Sequence, residues 1–305
     1  MLNQRKCDII TTNKVIKTQE VFALSRFSIG ILLDSFRKPF PEALKLTSQL
    51  GAQGIQVYAT KGEMSPENLV GQKRKDFLNM VKDNGLVISA LCGDLGRGFA
   101  NAELNPELIR RSKMIVDLAK ELETNIVTTH IGVVPKDPKN PHYAVIQDAC
   151  GELAAYADKM EARFAVETGP ELSSTLRAFL DGLHSKGVSV NLDPANLVMV
   201  AGDDPVQAVH NLAPYIVHTH AKDGIMCRKT DPEAIYAETM HGNNKTEDGP
   251  AYLELPLGKG GVPWDKYLNA LEEEGFHGFL TIEREVGENP TADIALAVDF
   301  LKQRI

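Results

Sequence analysis

Eight times along the chain, a short apolar run is followed by a turn and a longer amphipathic segment. The apolar runs are rich in Val, Ile and Leu, and their length is typical of buried strands. Repeated alternation of strand and helix predicts right-handed βαβ units and a parallel sheet. Eight such units favour a closed barrel over a doubly wound sheet, so we predict an α/β fold of the (β/α)8 TIM barrel type. The predicted strands are SIGILLDSF (28–36), GIQVYAT (54–60), LVISALCGD (86–94), NIVTTHIGV (125–133), RFAVETG (163–169), VSVNLD (188–193), YIVHTHAKD (215–223) and GFLTIEREV (278–286).

Helix boundary signals support this alternation. Pro41 suits the first turn of the first helix, and Gly51 or Gly54 suits its end. The triplets that begin at Ser65 and Asn105 place Pro and then Glu after a capping residue, which predicts the starts of the second and third helices. The other helices are predicted at about 142–161, 173–186, 204–212, 263–274 and 289–305.

Residues 1–26 precede the alternating pattern and are predicted to be an N-terminal extension to a single domain at 27–305. They lack the apolar core of a signal peptide, and no later run approaches the roughly 18 apolar residues of a membrane span. The four cysteines are scattered without a CxxC pair, which disfavours a disulfide framework and a thiolate zinc site. These features predict a cytoplasmic protein with no membrane partner. The sequence is compatible with a homo-oligomer.

The charge balance bears on the kind of partner. The formal net charge is -8, and no basic run is present. Phosphate backbones favour clustered Lys and Arg, so nucleic acid is not expected as a partner.

One connection is much longer than the rest. Residues 225–262 separate the seventh strand from its helix, whereas βα loops usually have about 2 to 6 residues. A connection of this length is normally functional, so we favour a lid or a wall of the site over a tolerated surface insertion. It leaves the barrel beside His220.

The seventh strand, IVHTHAKDG (216–224), carries two histidines. Residues two apart in a strand point to the same face, so His218 and His220 share one face and Thr219 takes the other. His220 is nearer the carboxyl end, where TIM barrels place their active sites. It is therefore the candidate ligand or catalyst, with a satisfied core histidine as the alternative.

Each of the last four predicted strands ends with one metal-compatible side chain: Glu167, Asp193, His220 and Glu283. Three carboxylates and one imidazole suit Mn²⁺, Mg²⁺ or Co²⁺ better than an ion selected by thiolates. The alternative is a ring of salt bridges with Lys222, Arg284 and Lys259. A metal is favoured, because three carboxylates at one mouth need a cation to offset their repulsion.

The sequence resembles the xylose isomerase-like TIM barrels, a group of sugar isomerases, ketose 3-epimerases, inositol-pathway dehydratases and, more distantly, endonuclease IV. The resemblance covers about residues 28–305 and is carried by HTHAKDG, NLDPANL, VETGPE, LTIERE and PLGKGGVPW. It implies one divalent ion, Mn²⁺, Co²⁺, Mg²⁺ or Zn²⁺, held by Glu167, Asp193, His220 and Glu283. In the ketose epimerases of this family the first and last glutamates also form the acid/base pair, which implies that role for Glu167 and Glu283.

The sequence departs from its relatives at two places. Asn196 stands where many relatives have a histidine three residues after the aspartate, which alters a contact near the substrate. Ketose 3-epimerases typically continue the HxH with glycine, glutamate and arginine, whereas this chain has Ala221, Lys222 and Asp223. This difference disfavours epimerisation of a free ketohexose. The second and third strands lack the histidines of endonuclease IV, so a three-zinc nuclease is not expected.

Five residues are predicted to bind substrate: His130, Lys222, Glu171, Asn196 and Arg97. His130 could equally be a satisfied core histidine, and Lys222 could pair with Glu167 or Asp193 instead of an oxyanion. Glu171 could accept hydrogen bonds from sugar hydroxyls or be a first-turn helix acid. Trp264 could form a wall of the site or pack at the start of a helix.

We therefore expect a divalent-metal-dependent sugar isomerase or epimerase that acts on a keto-sugar or polyol derivative through an enediolate. A lyase or dehydratase on a keto-sugar or inositol derivative is the alternative, since the same metal could support loss of a β-substituent. A non-catalytic sugar-binding protein is the third hypothesis, although such a protein has no reason to keep all four ligand types.

Overall fold

Residues 25–236 and 249–305 are described by a computed structural model. The barrel strands are β1 (Ser28–Leu32), β2 (Gly54–Tyr58), β3 (Val87–Cys92), β4 (Ile126–Thr129), β5 (Arg163–Glu167), β6 (Val188–Leu192), β7 (Ile216–Ala221) and β10 (Phe279–Ile282). They are parallel and close in the order β1-β10-β7-β6-β5-β4-β3-β2. The predicted TIM barrel is confirmed. Two further strands, β8 (Asp223–Met226) and β9 (Tyr252–Leu255), pair as a separate antiparallel hairpin.

Each barrel strand is followed by a longer helix. These helices are α1 (Phe40–Leu50), α2 (Gln72–Asp83), α3 (Asn105–Glu121), α4 (Pro141–Lys159), α5 (Ser173–Gly182), α7 (Pro205–Leu212), α9 (Trp264–Glu273) and α10 (Pro290–Lys302). Two short helices, α6 (Pro194–Asn196) and α8 (Pro232–Tyr236), lie in the connections after β6 and β7.

The strands are apolar because both of their faces are covered. All five residues of β6 are buried, as expected where helices cover a parallel barrel. Each helix buries only one stripe, so its sequence is amphipathic. Phe179 of α5 and Tyr267 of α9 are fully buried in the layer between helices and strands.

The predicted start of the second helix at Ser65 is wrong. Residues Gly62–Met64 form a 3₁₀ turn, and the backbone N–H groups of Asn68 and Leu69 then donate to the carbonyl of Ser65. This turn buries Met64 and Leu69 before the chain enters α2 at Gln72. Tertiary burial of these two side chains therefore delays the helix by six residues, from a predicted cap at Ser65 to the observed cap at Gly71.

The long connection after β7 contains the hairpin and α8, and it is held at its base by Asp223. This carboxylate is buried and accepts hydrogen bonds from the backbone of Gly224 and Val262 at 2.9 and 3.1 Å. Its other oxygen accepts from the Gly258 backbone and the Trp264 indole at 2.9 and 3.0 Å. The sequence PLGKGGVPW is thus anchored to the end of the seventh strand.

Trp264 packs at the start of a helix and does not form part of the wall of the site. It is 5% exposed and stacks edge-on against Tyr267 and Phe300, with ring centroids 5.7 and 5.8 Å away. Its indole N–H is committed to Asp223, so nothing of this side chain is left to contact a ligand.

Across the described ranges, the helices are too short or too polar to cross a bilayer. Residues 1–24 and 237–248 lie outside these ranges, so the predicted extension over 1–26 stays a prediction. The same holds for the part of the predicted lid that contains His241.

Candidate metal centre and active site

Four side chains from separate strands meet at one end of the barrel. Glu167 ends β5, and His220 is the next-to-last residue of β7. Asp193 and Glu283 directly follow β6 and β10. One ligand atom from each of the four lies within 4.8 Å of the others, and all four side chains are buried. This cluster could hold a metal ion.

The imidazole of His220 lies among three carboxylate oxygens. Its Nδ1 is 3.5 Å from Glu167 Oε1, 3.5 Å from Asp193 Oδ2 and 3.3 Å from Glu283 Oε2. Within the described chain, His220 Nδ1 and Asp193 Oδ2 are buried without a hydrogen-bond partner. A buried polar atom without a partner costs about 1–3 kcal/mol. Two such atoms converging beside two more carboxylates fit a divalent cation with oxygen and imidazole ligands.

The other histidine of the motif has a different environment. His218 Nδ1 lies 2.9 Å from Asn191 Oδ1, and its Nε2 lies 3.0 Å from Thr281 Oγ1. Burial, with a contribution from the nearby His220, lowers the pKa of His218 well below its usual value. Since both ring nitrogens have protein partners, His218 is the satisfied core histidine of the pair.

Charges in the cluster act on one another. Burial opposes the protonated form of His220, but Glu283 and Glu167 outweigh it and raise the pKa of His220. Burial also opposes ionisation of Glu283, yet Lys222 and His220 hold the pKa of this carboxyl well below its usual value. Glu283 is therefore kept as a carboxylate that can accept a cation.

Lys222 contributes a buried positive charge beside the cluster. Its Nζ donates to Glu283 Oε2 at 2.9 Å and to Glu285 Oε2 at 2.5 Å. Burial opposes the charged form, but the neighbouring carboxylates, Glu283 first, raise the pKa of Lys222 well above its usual value. Arg284 was predicted as a possible salt-bridge partner of the clustered carboxylates. It binds Glu254 and Asp293 instead.

Two asparagines fix the orientation of Glu167. Asn196 Nδ2 donates to Glu167 Oε1 at 3.0 Å, and Asn191 Nδ2 donates to Glu167 Oε2 at 3.3 Å. The backbone N–H groups of Ala195 and Asn196 in turn cap Asp193 Oδ1 at 2.8 and 3.0 Å. Asn196 therefore reaches a proposed metal ligand directly, which explains its place three residues after Asp193.

The comparisons with known proteins agree with the barrel fold. A family model described as the xylose isomerase-like TIM barrel matches residues 44–304. The chain belongs to this family. A search of curated protein sequences gives no significant match.

Solved structures show the same fold as this xylose isomerase-like barrel. A xylose isomerase domain protein from Planctomyces limnophilus is 23% identical with a TM-score of 0.73, and the match covers 91% of this chain and 96% of that protein. A probable 3-DHS dehydratase involved in petrobactin synthesis in Bacillus anthracis is 19% identical with a TM-score of 0.69, covering 92% and 100%. A D-psicose 3-epimerase crystallised with D-fructose is 14% identical with a TM-score of 0.67, covering 91% and 99%.

His130 approaches the cluster from the end of β4. Its Nδ1 lies 3.0 Å from Asp94 Oδ2, and its Nε2 lies 3.8 Å from Glu167 Oε1. Burial lowers the pKa of His130, but Glu167 and the bond to Asp94 outweigh it and raise this pKa to about 9. Asp94 ends the third predicted strand and is followed two residues later by glycine, the same signal that identified the later carboxylates.

Two of the predicted substrate-binding residues lie away from the cavity. Glu171 is buried, its Oε2 accepts from the Val134 backbone at 3.2 Å, and burial raises its pKa to about 8. Arg97 is exposed on the loop after β3. Neither side chain lines the cavity that contains the metal cluster, whereas Lys222, Asn196 and His130 do.

The cavity has about 510 Å³ of space not filled by atoms, including the open space at its mouth. Several of its wall residues were missed in the sequence, namely Gln56, Tyr58, Cys92, Asp94, Met199, Tyr236, Tyr252 and Glu285. Gln56 interrupts an apolar strand, and that interruption is the signal that could have identified it. Tyr236 and Tyr252 come from the long connection, whose fold depends on distant contacts.

Proposed function

We propose that this protein is a divalent-metal-dependent sugar isomerase or epimerase that acts on a keto-sugar or polyol derivative. The observation that carries the proposal is the pair of unpartnered buried atoms, His220 Nδ1 and Asp193 Oδ2, facing Glu167 and Glu283. These four residues would hold the ion. Mn²⁺ is favoured because the donors are mainly carboxylates, with Co²⁺, Mg²⁺ and Zn²⁺ as alternatives.

The bound ion would polarise a substrate carbonyl and lower the free energy of an adjacent enediolate. Glu167 would remove the proton beside the carbonyl, and its two asparagine contacts would hold its carboxylate in place. Glu283 would pass a proton from the Lys222 ammonium to the opposite face of this carbon, which inverts it, or to the former carbonyl carbon, which moves the carbonyl. Lys222 would donate a hydrogen bond to a substrate oxygen from its remaining N–H.

The contacts of Lys222 also favour a second candidate, a lyase or dehydratase acting on a keto-sugar or inositol derivative. The ammonium group lowers the pKa of Glu283, which makes Glu283 a weaker base. Lys222 and His130 could instead protonate a leaving hydroxyl after Glu167 has removed a proton. The structural neighbours include both a D-psicose 3-epimerase and a probable 3-DHS dehydratase, in line with either reaction. A sugar-binding protein without catalysis would need none of these proton donors.

Two measurements test the proposal. Protein purified without chelator should contain, or rebind, close to one divalent ion per chain, and Asp193→Asn should not. The metal-loaded enzyme should then place deuterium beside the carbonyl of its keto-sugar substrate in heavy water. Conserved product mass apart from deuterium supports isomerisation, whereas loss of water supports the dehydratase. Turnover without exchange or elimination, or a protein that binds no ion, would contradict both candidates.

We further propose that the enzyme acts in the cytoplasm and binds a carbohydrate as its small-molecule partner. Size-exclusion chromatography would show whether it forms a homo-oligomer.

A further inference from the structure

The charged groups of the cavity wall limit what kind of substrate can enter. Among residues 25–236 and 249–305, Lys222 is the one lysine or arginine that lines the cavity. Its ammonium group already donates to Glu283 at 2.9 Å and to Glu285 at 2.5 Å. An ammonium has three protons, so one is left for a substrate oxygen, and this oxygen can be uncharged.

The second cationic group of the wall is also paired. His130 Nδ1 lies 3.0 Å from Asp94 Oδ2, and its other nitrogen faces Glu167 at 3.8 Å. The Lys222 ammonium and the His130 imidazole therefore both face protein carboxylates rather than being held ready for an anionic ligand.

Among the residues that the structure describes, negative charge is in excess even when a divalent ion, Lys222 and a protonated His130 are counted. Five carboxylates belong to the cavity and the cluster: Asp94, Glu167, Asp193, Glu283 and Glu285. Like charges placed together on binding are strongly unfavourable, so a phosphate or carboxylate group would be rejected here.

The rest of the wall suits an uncharged polyol. Tyr58, Tyr236 and Tyr252 line the cavity together, and each presents an apolar ring with one hydroxyl. Phenol groups can donate to and accept from sugar hydroxyls, and their ring faces pack against C–H groups.

We propose that the site accepts an uncharged polyhydroxy ketone, and that Glu285 excludes sugar phosphates and sugar acids by occupying Lys222. This inference rests on the proposed function for its metal-dependent chemistry. Glu285 has a side chain that is 43% exposed, while Lys222 is only 4% exposed. The Glu285 carboxylate therefore lies between solvent and the buried Lys222 ammonium. An anionic ligand that enters from solvent would need this same position to pair with Lys222.

Calorimetry on Mn²⁺-loaded protein tests this selection without turnover. The probes are D-fructose, D-psicose and D-tagatose, each beside its 6-phosphate, and methyl 3-dehydroshikimate beside 3-dehydroshikimate. Wild-type protein should bind a neutral member and bind its charged counterpart at least about tenfold more weakly. Glu285→Gln removes the charge and keeps the shape, so it should reduce this ratio about tenfold or more.

Glu288→Gln is the matched control, because Glu288 is an exposed acid on the same loop outside the cavity. It should leave the ratio as in wild type, and both variants should keep the wild-type Mn²⁺ stoichiometry. Tighter binding of a charged member by wild type, or no binding by any neutral member, would overturn the inference. So would an unchanged ratio in Glu285→Gln.

These outcomes separate the inference from the proposed function. A charged substrate that exchanges deuterium would overturn the selectivity and leave the isomerase intact. Selective binding of neutral ligands without deuterium exchange or elimination would overturn the proposed enzyme activity and leave the selectivity intact.

Discussion

The side-chain oxygen of Gln56 lies 3.2 Å from Nε2 of His220. An amide oxygen can only accept, so this contact requires a proton on Nε2 and makes Nδ1 the nitrogen that can give up its proton to a bound cation. Asn191 Nδ2 lies equally close to Nε2 and can give its proton to Glu167 Oε2 instead. Gln56 thus favours the arrangement in which Nδ1 faces the carboxylates and is available to the proposed metal ion.

Replacing Gln56 by Leu should weaken Mn²⁺ binding about 10- to 100-fold, because the partner that fixes the imidazole tautomer is lost. Gln56→Glu keeps an acceptor oxygen and should bind Mn²⁺ at least as tightly as wild type. Calorimetric titration of the metal-free proteins gives both affinities. Wild-type affinity in Gln56→Leu would show that Gln56 has no role in orienting His220.

Asp193→Asn should separate metal binding from helix capping. An asparagine can still cap Ala195 and Asn196 through its oxygen, but it removes the unpartnered carboxylate oxygen from the cluster. A metal at about 100 times its dissociation constant stabilises wild type by about 2.7 kcal/mol, and this gain should be absent in the variant. Urea unfolding with and without Mn²⁺ measures it.

The metal-free proteins provide the control for Asp193. Metal-free Asp193→Asn should be at least as stable as metal-free wild type, because one of three crowded carboxylates is gone. Asp193→Ala loses the cap as well and should cost about 1 kcal/mol. Equal stabilisation of Asp193→Asn and wild type by Mn²⁺ would place the metal elsewhere.

Lys222→Met should shift the pH dependence of metal binding to higher pH. Lys222 lowers the pKa of Glu283, so removing its charge raises that pKa. Metal binding requires the Glu283 carboxylate and an unprotonated His220 Nδ1, and removing a nearby positive charge makes both groups harder to deprotonate, so binding is lost at a higher pH. The midpoint of this loss should rise by about one pH unit or more. Mn²⁺ titrations across the acidic range measure it, with the exposed pair member Lys38→Met as the control that leaves the midpoint unchanged.

The barrel and its cluster of three carboxylates and one histidine were predictable because both follow from strand periodicity. A strand fixes which side chains share a face, and a parallel barrel fixes which strand ends meet, so His220 could be preferred to His218 before any contact was known. The shared contacts of His218 with Asn191 and Thr281 confirm its core role.

The wall of the cavity could not be predicted in the same way. Tyr236 reaches the site from α8, in a connection anchored by the contacts of Asp223 with residues far along the chain. No periodic pattern encodes such a contact. Asp94 and Gln56 carry usable signals, since Asp94 ends an apolar run two residues before a glycine and Gln56 interrupts an apolar strand.

Tyr236 should act as part of a lid that protects Cys92. Both residues line the cavity, and the Tyr236 ring lies 6.0 Å from that of His130. Removing the ring with Tyr236→Ala should speed alkylation of Cys92 about tenfold, equivalent to about 1.4 kcal/mol of closure. Tyr236→Phe keeps the ring and should react as wild type. Mass spectrometry of protein treated with N-ethylmaleimide follows the reaction.

A background lacking Cys7 and Cys227 isolates the signal from Cys92. Cys227 is exposed and would react first, whereas Cys150 is fully buried. Because burial raises the pKa of the Cys92 thiol, all variants are compared at one alkaline pH. Equal rates in Tyr236→Ala and wild type would show that α8 does not close the cavity.

Glu171→Gln should become more stabilising as pH rises. Burial raises the pKa of Glu171 to about 8 in the folded protein, from an ordinary value of 4.5. The folded state then binds the proton more tightly than the unfolded state, so stability from this group is full below about pH 4.5 and is lost as pH rises towards 8. Glutamine stays neutral throughout and can still accept from Val134. Urea unfolding should therefore show the variant gaining a few kcal/mol on wild type, in order of magnitude, between pH 5 and pH 8. The exposed Glu103→Gln should show no such trend, and a flat difference for Glu171→Gln would mean that this carboxyl is ionised in the fold.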